Sequence, residues 1–266
     1  MINQIHNEDC FSTMDRMELN SIDCILTSPP YNTGGRVEYS SNKKIKGKRV
    51  YSKEKRYDEY LDTKTTDEYI KWSINLFNKY ETVLSKNGCV LYNISYGNEN
   101  PSVLWLLLAE IIKETQFMIA DCIVWKKKTA LPNTTSKNKL TRICEFVFVI
   151  VRKDDFMSFN SNKKVITISD KEQKFYEVFY NIINASNNDG SNNLNKATFS
   201  TDLVRNLLNI YVPKDSLVYD SFMGTGTTAL GCIEQNINFI GSELSKKQCE
   251  FANNKIKDRL SQSKLF

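Results

Sequence analysis

The amino-acid sequence predicts an α/β fold with a mostly parallel sheet, and three observations support this prediction. Strand-like apolar runs alternate with helical patterns along most of the chain. Two of these runs are followed directly by short motifs rich in glycine or proline, where the chain turns at a strand end. The length of 266 residues is sufficient for one large domain with a buried core, so we expect a single domain over residues 1–266.

The expected strands are short runs rich in β-branched and aromatic residues, which suit a buried, pleated surface. They are Ile22–Leu26, Gly88–Ser95, Met118–Trp125, Ile143–Arg152, Ser216–Asp220 and Asn238–Gly241. The expected helices have apolar residues spaced so that they share one face. They are Phe11–Glu18, Thr66–Leu84, Pro101–Glu114, Thr201–Tyr211, Thr227–Gln235 and Ser245–Leu260. Such alternation favours a parallel sheet covered on both faces, with ligands at the carboxyl ends of the strands.

Two segments interrupt the alternation. Residues 34–65 are polar and basic without a sustained apolar period, which predicts a long loop directly after a strand end. Residues 153–196 also lack a period, and seven asparagines lie between Asn181 and Asn195. This composition is typical of turns, so we expect an irregular insertion there.

The composition is that of a globular protein and excludes several functional classes. Hydrophobic residues make up 41% of the chain, yet no apolar stretch reaches the ~20 residues of a membrane-spanning helix, so we expect a cytoplasmic protein. The single histidine, His6, excludes any Ser-His-Asp triad that does not pass through it. The seven cysteines form no CxxC pair, so we expect reduced thiols and no metal site.

Positive charge is concentrated in one segment, although the net charge is only +5. Between Lys43 and Arg56 the chain has eight Lys or Arg residues and one acidic residue, Glu54. Such a run indicates either contact with a polyanion or a solvated surface loop. The charge run alone does not decide between these two interpretations.

The first motif is Asp220–Ala229, with the sequence DSFMGTGTTA, between an expected strand and an expected helix. Gly224 and Gly226 let the backbone turn tightly near a ligand, and the helix that follows presents free N–H groups. No lysine follows the glycines, which excludes a P-loop. Glu243, at the end of the next expected strand, is placed to accept hydrogen bonds from ribose hydroxyls. The pattern indicates a nucleoside cofactor, a redox dinucleotide included, or a plain strand-to-helix turn.

The second motif is Thr27–Asn32, with the sequence TSPPYN, directly after the expected strand Ile22–Leu26. Two consecutive prolines stiffen the chain and provide no backbone donor. The Ser28 hydroxyl and the Pro29 carbonyl can accept hydrogen bonds from an –NH₂ group, and the Tyr31 ring can stack on a flat base. The alternative is a Pro-Pro turn that ends the strand.

Together the two motifs resemble those of the amino-directed DNA methyltransferases of bacterial restriction-modification systems. They read LTSPPY at residues 26–31 and DxFxGxGTT at residues 220–228, an order similar to that of the permuted β class. IHNEDC at residues 5–10 is similar to the family's short strand whose acid holds the cofactor adenine. NKATFS at residues 195–200 is similar to its HPAxFP segment, without the histidine and both prolines.

The resemblance covers about residues 1–151 and 195–258. It implies a Rossmann-like methyltransferase fold with a mostly parallel seven-stranded sheet and helices on both faces, and S-adenosyl-L-methionine as cofactor. The cofactor-binding residues that it implies are Asp9, Cys10, Asp220, Phe222, Gly224, Gly226, Thr227, Thr228 and Glu243. The implied catalytic residues, which would bind a base flipped out of double-stranded DNA, are Ser28, Pro29, Pro30 and Tyr31. We refer to these four residues as the proline motif and to Asp220–Ala229 as the glycine motif.

The same resemblance favours the polyanion interpretation of the basic segment. The expected DNA contacts are Lys43, Lys44, Lys46, Lys48, Arg49, Lys126, Lys127 and Lys128. Residues 153–196 become a candidate target-recognition region. A homodimer and a cognate restriction endonuclease are further partners that the resemblance suggests.

The first residue of the proline motif bears on the target base. Members of the family that act on cytosine N4 generally carry Ser-Pro-Pro, and those that act on adenine N6 carry Asp-Pro-Pro or Asn-Pro-Pro. Ser28 therefore favours cytosine N4, with adenine N6 as the alternative. Ser28 also argues against an RNA or protein amide methyltransferase, and the complete motif through Tyr31 argues against a non-catalytic DNA-binding subunit.

Overall fold

A computed structural model describes residues 1–32, 44–45, 48–49, 64–96, 100–130, 132–134, 137–189 and 198–263. The strands are β1 (Gln4–His6), β2 (Ile22–Thr27), β3 (Lys44–Ile45), β4 (Lys48–Arg49), β5 (Leu84–Ile94), β6 (Phe117–Lys127), β7 (Cys144–Arg152), β8 (Val165–Ile168), β9 (Lys174–Tyr176), β10 (Ile182–Ala185), β11 (Leu217–Asp220) and β12 (Asn238–Ser242). The helices are α1 (Cys10–Met14), α2 (Thr66–Val83), α3 (Val103–Glu114), α4 (Thr201–Tyr211), α5 (Thr227–Glu234) and α6 (Lys246–Ser263).

One large sheet organises the described residues, with the strand order β1-β12-β11-β2-β5-β7-β6-β10. Neighbouring strands are parallel, except that β7 runs antiparallel to both β5 and β6. The amino end of β7 therefore lies at the same edge as the carboxyl ends of the other strands. We refer to this edge as the ligand edge, because parallel sheets bind ligands there.

The sheet has eight strands, one more than the seven expected. The additional strand is β10, which pairs in parallel with β6 inside the segment expected to be irregular. Ile183 and Ala185 are buried, whereas Ile182 and Asn184 are exposed, so β10 has the alternation of a half-buried strand. Only four residues carry this pattern, and the asparagines around them conceal it in the sequence. The same segment contains the antiparallel hairpin of β8 and β9.

The six expected strands and six expected helices are present in the structure. Helix α4 has the expected bounds Thr201–Tyr211, whereas α1 ends at Met14 instead of Glu18. The chain continues after α1 as a 3₁₀-type turn, because the N–H groups of Arg16 and Met17 donate to carbonyls three residues earlier. This turn buries Met17 and leads the chain to β2.

Helix α2 is fixed at both ends. Thr65 and Glu68 form a capping box, in which each side chain accepts a hydrogen bond from the backbone N–H of the other residue. At the other end, Val83 is followed at once by Leu84 of β5. The helix therefore begins at the ligand edge, where Tyr69 and Trp72 lie in its first turns.

Two hydrophobic cores cover the two faces of the sheet, as expected. One core packs α1, α2 and α3 against the sheet, with residues such as Phe77 and Leu107. The other packs α4, α5 and α6, with residues such as Val204 and Cys232. Adjacent β2 residues alternate between them, since Ile25 belongs to the first core and Leu26 to the second. Among the described residues, no helix is long and apolar enough to cross a membrane.

Candidate functional site

A cavity of about 350 Å³ opens at the ligand edge, where the glycine motif and the proline motif meet. The two motifs follow β11 and β2, which are paired neighbours in the sheet. Ser28 and Gly224, far apart in sequence, line this one cavity. A ligand at the glycine motif and a second ligand at the proline motif would therefore lie next to each other in one cavity.

A buried hydrogen-bond network joins the two motifs. Asp220 Oδ1 accepts from Thr27 Oγ1 at 2.8 Å and from the Phe222 N–H at 3.0 Å. Asp220 Oδ2 accepts from Thr228 Oγ1 at 2.5 Å. Asp220 and Thr27 are both buried, so a carboxylate at the end of β11 holds the residue that precedes Ser28. Asp220 thus positions the two motifs relative to each other.

The buried position of Asp220 alters its titration. Burial raises the pKa of Asp220 from 3.8 to about 6, although hydrogen bonds from Thr228, Phe222 and Thr27 act in the opposite direction. Since the folded-state pKa lies above the unfolded value, the folded protein binds the Asp220 proton more tightly. This contribution to stability is complete below about pH 4 and is lost as the pH rises through about 6.

An Asp220→Asn variant tests this pH dependence. The free energy of unfolding of the wild type, relative to that of the variant, is expected to fall by about 3 kcal/mol between pH 4 and pH 7, because asparagine does not titrate. Urea denaturation of both proteins at several pH values in this range measures the difference. A constant difference across the range would show that Asp220 titrates as an ordinary carboxyl group.

The glycine turn depends on two left-handed backbone conformations. Gly224 has φ of 55° and Gly226 has φ of 83°, a region that residues with a Cβ rarely adopt. Gly226 also caps α5, and a Cβ built on it would lie 2.9 Å from the Cβ of Ala252 in α6. The turn is tied to the next strand by a 2.8 Å hydrogen bond from the Met223 N–H to the Ser242 carbonyl. Glycine is therefore required at 226 by both conformation and packing.

Glu243 stabilises this turn from the end of β12. Its Oε2 accepts from the Gly224 N–H at 2.7 Å, and its Oε1 accepts from the Ser245 N–H at 2.8 Å. Glu243 is half-buried and lines the cavity. The carboxylate thus connects the glycine turn to the start of α6.

The amino-terminal strand brings a second carboxylate to the same place. β1 pairs with β12, and the Glu243 N–H donates to the His6 carbonyl at 3.0 Å. Asp9 follows β1 and caps α1, accepting from the Phe11 N–H at 2.9 Å. Asp9 and Cys10 line the cavity beside Glu243. Residues from the two ends of the chain therefore share one wall.

The proline motif forms another part of the cavity lining. The Pro30 carbonyl accepts a 2.7 Å hydrogen bond from the hydroxyl of Tyr69 in α2, which fixes the proline pair. Pro29 and Pro30 are buried, whereas Ser28 and Tyr31 are half-buried. Ser28 and Tyr31 both line the cavity.

The Tyr31 hydroxyl is the centre of a polar cluster. Ser28 Oγ donates to Tyr31 Oη at 3.3 Å. Tyr31 Oη lies 3.3 Å from Asn93 Oδ1 and 3.3 Å from Glu145 Oε2. The other oxygen of Glu145 is 2.5 Å from Lys127 Nζ, and this ammonium group also lies 4.8 Å from the centroid of the Trp125 ring. All of these residues line the cavity.

The structure brings together most of the residues expected at the site. The four proline-motif residues line the cavity, and so do six of the expected cofactor residues: Asp9, Cys10, Phe222, Gly224, Thr227 and Glu243. Asp220, Gly226 and Thr228 lie outside the cavity lining and support the turn instead.

The lysines expected to contact DNA lie in different environments. Lys127 lines the cavity and pairs with Glu145, Lys128 lies 3.8 Å from Asp202, and Lys126 is exposed. Lys44, Lys48 and Arg49 belong to the β3–β4 hairpin, whereas Lys43 and Lys46 lie outside the described residues.

Several cavity residues were not identified from the sequence. They are Trp72, Asn93, Trp125, Glu145, Asn187, Asn188, Leu244, Ser245 and Gln248. Asn93 could have been found, because it is a polar residue near the end of an expected parallel strand. Glu145 could not, because it stands at the start of β7 and reaches the ligand edge only through the reversed direction of that strand.

The chain is similar to known DNA methyltransferases in both sequence and structure. A protein-family model described as DNA methylase (N6_N4_Mtase) matches residues 22–254. The type II methyltransferase M.Cfr9I of Citrobacter freundii is 23% identical over 282 residues, covering 93% of this chain and 85% of the relative. The crystal structure of the M1.HpyAVI–SAM complex has a TM-score of 0.57 at 20% identity and covers 95% of this chain and 98% of that chain. The structure of the cytosine-N4-specific PvuII DNA methyltransferase has a TM-score of 0.67 at 16% identity and covers 96% of this chain and 89% of that chain.

Proposed function

The chain belongs to the N6/N4 DNA methylase family, and from this premise we propose that it methylates the N4 amine of cytosine in DNA. It is an amino-directed DNA methyltransferase of restriction-modification type, with S-adenosyl-L-methionine as cofactor. The second candidate for the target is N6 of adenine. The observation that carries the proposal is that the proline motif, which begins with Ser28, and the glycine turn line one cavity.

The cavity residues fit the cofactor. Glu243 would bind the ribose hydroxyls, and Asp9 would bind the adenine amine. Phe222 and the turn at Gly224 and Thr227 would hold the methionine part. The support for these assignments is that all five residues line the same cavity and that the two carboxylates come from the paired strands β1 and β12. The bound cofactor supplies an electrophilic methyl group on a sulfonium, whose leaving group departs neutral.

The proline motif would activate the target amine. The lone pair of an exocyclic amine is delocalised into the base ring, which makes the nitrogen a poor nucleophile. Hydrogen bonds from the amine to Ser28 Oγ and the Pro29 carbonyl would favour a pyramidal nitrogen and stabilise its developing positive charge. Tyr69 would keep the acceptors in place, because its hydroxyl holds the Pro30 carbonyl. Catalysis would then consist mostly of positioning the two reactants.

The target base would have to leave the duplex, since its amine is not reachable inside the stack. The Tyr31 ring would stack on the extruded base, and phosphate contacts would offset the few kcal/mol that flipping costs. We propose these contacts for the basic residues of the segment 34–65 and for Lys126 and Lys128. Within one domain, residues 153–196 would serve target recognition. A homodimer and a cognate endonuclease stay predictions.

Cytosine is favoured over adenine by the serine at the first position of the proline motif. The PvuII DNA methyltransferase, whose fold this chain shares, is cytosine-N4-specific, which supports this choice. A hydroxyl accepts a hydrogen bond from either amine, so the preference for one base depends on the whole cavity.

Mass spectrometry of nucleosides identifies the modified base. DNA is incubated with the purified protein and isotope-labelled S-adenosyl-L-methionine, digested and analysed. We expect labelled N4-methyldeoxycytidine, because Ser28 heads the motif. Labelled N6-methyldeoxyadenosine alone would establish the second candidate, and the absence of both products would contradict the proposed function. A Tyr31→Ala protein purified in parallel controls for methyltransferases from the expression host.

A further inference from the structure

We propose that Glu145 is the final acceptor of the proton that the target amine loses, and that Ser28 and Tyr31 relay this proton. The inference rests on the proposed transfer to an exocyclic amine, and it holds for either base. It assigns a role to a residue outside both motifs.

The reaction requires that a proton leave the amine. When the nitrogen bonds to the methyl carbon and the carbon–sulfur bond breaks, the nitrogen becomes positively charged and still carries both of its hydrogens. One N–H proton moves to Ser28 Oγ as the Ser28 hydroxyl proton moves to Tyr31 Oη. The Tyr31 proton moves to Glu145 Oε2 in turn. The products are the neutral methylated amine and a protonated Glu145, and the two hydroxyl groups are restored.

The hydroxyl groups and the carboxylate of the cavity lie within hydrogen-bond distance of one another in the order that this relay requires. Ser28 Oγ donates to Tyr31 Oη at 3.3 Å, and Tyr31 Oη donates to Glu145 Oε2 at 3.3 Å. With the hydroxyl groups oriented in this way, each is a donor towards the carboxylate. Tyr31 Oη has one proton, and the Asn93 carbonyl at 3.4 Å and Asn93 Oδ1 at 3.3 Å are its other acceptors. Ser28 Oγ in turn has acceptor capacity for the amine, because a hydroxyl oxygen has two lone pairs.

Glu145 occupies a position suited to the end of a relay. Lys127 Nζ lies 2.5 Å from its Oε1, so the ammonium group balances the carboxylate charge and leaves Oε2 directed at Tyr31. The β6–β7 register places Glu145 opposite Trp125, whose ring is 4.8 Å from the same ammonium group. The Glu145 side chain is 20% exposed, which allows the proton to pass to water after each turnover.

Asn93 belongs to the same polar cluster but is a poorer proton acceptor than Glu145. Its Oδ1, 3.3 Å from Tyr31 Oη, is an alternative acceptor for the same hydroxyl proton, but an amide oxygen is a far weaker base than a carboxylate. Asn93 Nδ2 donates to the Phe146 carbonyl at 3.0 Å, which fixes the orientation of the amide. Asn93 can thus orient the tyrosine hydroxyl, whereas Glu145 is the group of the cluster that can retain the proton.

The test uses the isosteric variants Glu145→Gln and Tyr31→Phe and their combination. Glutamine retains an acceptor for Lys127, and phenylalanine retains the stacking ring. Single-turnover rates at saturating DNA and cofactor isolate the chemical step from product release. Each single variant is expected to be slower by on the order of 10²-fold, the lower end for general base catalysis. The double variant is expected to be no slower than the slower single variant, because both changes interrupt the same relay.

Other readouts separate this role from a structural one. The dissociation constants for DNA and for cofactor are expected to stay within about twofold of the wild type, so that the loss is in rate alone. Glu145→Asp, which retains a carboxylate, is expected to regain part of the rate lost in Glu145→Gln. Glu110→Gln, which removes a carboxylate from an ion pair on α3, is the matched control and is expected to leave the rate unchanged.

Three results would overturn the relay. They are a Glu145→Gln rate within about twofold of the wild type, a double variant whose loss is the product of the single losses, and a loss confined to DNA affinity. These results are distinct from failure of the proposed function, which the wild-type product decides. If the wild type modifies adenine, the same rate ratios test the relay with that base.

Discussion

A Tyr31→Ala variant is expected to lose methyl transfer by on the order of 10³-fold while it binds S-adenosyl-L-methionine as tightly as the wild type. Alanine removes the ring, for which stacking on a base contributes about 1–3 kcal/mol. It also removes the hydroxyl that connects Ser28 to Glu145. The turn at Gly224 is bonded to Glu243 and not to Tyr31, so the cofactor side of the cavity is unaffected.

The rate of this variant is measured in single turnovers, and cofactor binding is measured by titration calorimetry. Tyr31→Phe separates the two effects, because it restores the ring without the hydroxyl. Phe251→Ala, which truncates a half-buried aromatic side chain of α6 outside the cavity, is the control for the loss of an aromatic side chain. If cofactor affinity fell in parallel with the rate, the division of the cavity into a base side and a cofactor side would be wrong.

A Gly226→Ala variant is expected to lose about 2–4 kcal/mol of unfolding free energy, and its affinity for the cofactor is expected to fall. One part of the cost is conformational, since the φ of 83° is strained for alanine. The other part is steric, because the new Cβ would lie 2.9 Å from the Cβ of Ala252. Urea denaturation gives the stability, and calorimetry gives the affinity.

The steric part of this cost is tested with Ala252→Gly. Alone, this change places a glycine inside α6 and costs about 1 kcal/mol. Combined with Gly226→Ala, it removes one of the two colliding Cβ atoms, so the double variant is expected to be more stable than the sum of the single effects predicts. Additivity within about 0.5 kcal/mol would show that the contact with Ala252 is not the cause.

The sequence was sufficient to predict the sheet, both motifs and the family. Local signals carried these predictions: apolar periods for the strands and helices, and residues with special backbone chemistry, such as Gly226 and Pro29, at strand ends. Parallel strands place their carboxyl ends at one edge, so the proximity of the two motifs followed from the alternation of strands and helices alone. The paired ends of β2 and β11 agree with this expectation.

The parts that escaped prediction depend on contacts distant in sequence. Strand β10 has four residues in an asparagine-rich segment and is defined by its pairing with β6. In the sequence, Glu145 cannot be distinguished from any other charged residue at the start of a strand. It lies at the ligand edge because β7 runs antiparallel to β5 and β6. The expected contact of Asp220 with the cofactor stays a prediction, and the hydrogen bonds that its oxygens accept from backbone and hydroxyl groups of the motifs were not foreseen.

The reversed direction of β7 has a consequence for how the protein tolerates insertions and deletions. The connections that lead into the parallel strands enter the sheet at the edge opposite the ligand edge. A change in their length therefore alters the structure far from the cavity. The connection that leads into Cys144 enters at the ligand edge itself, directly before Glu145, which contacts Tyr31 in the cavity. A change in the length of this connection would displace Glu145 and its contact with Tyr31. We therefore expect insertions and deletions to be least tolerated there. The same connection is where changes in base preference should be sought.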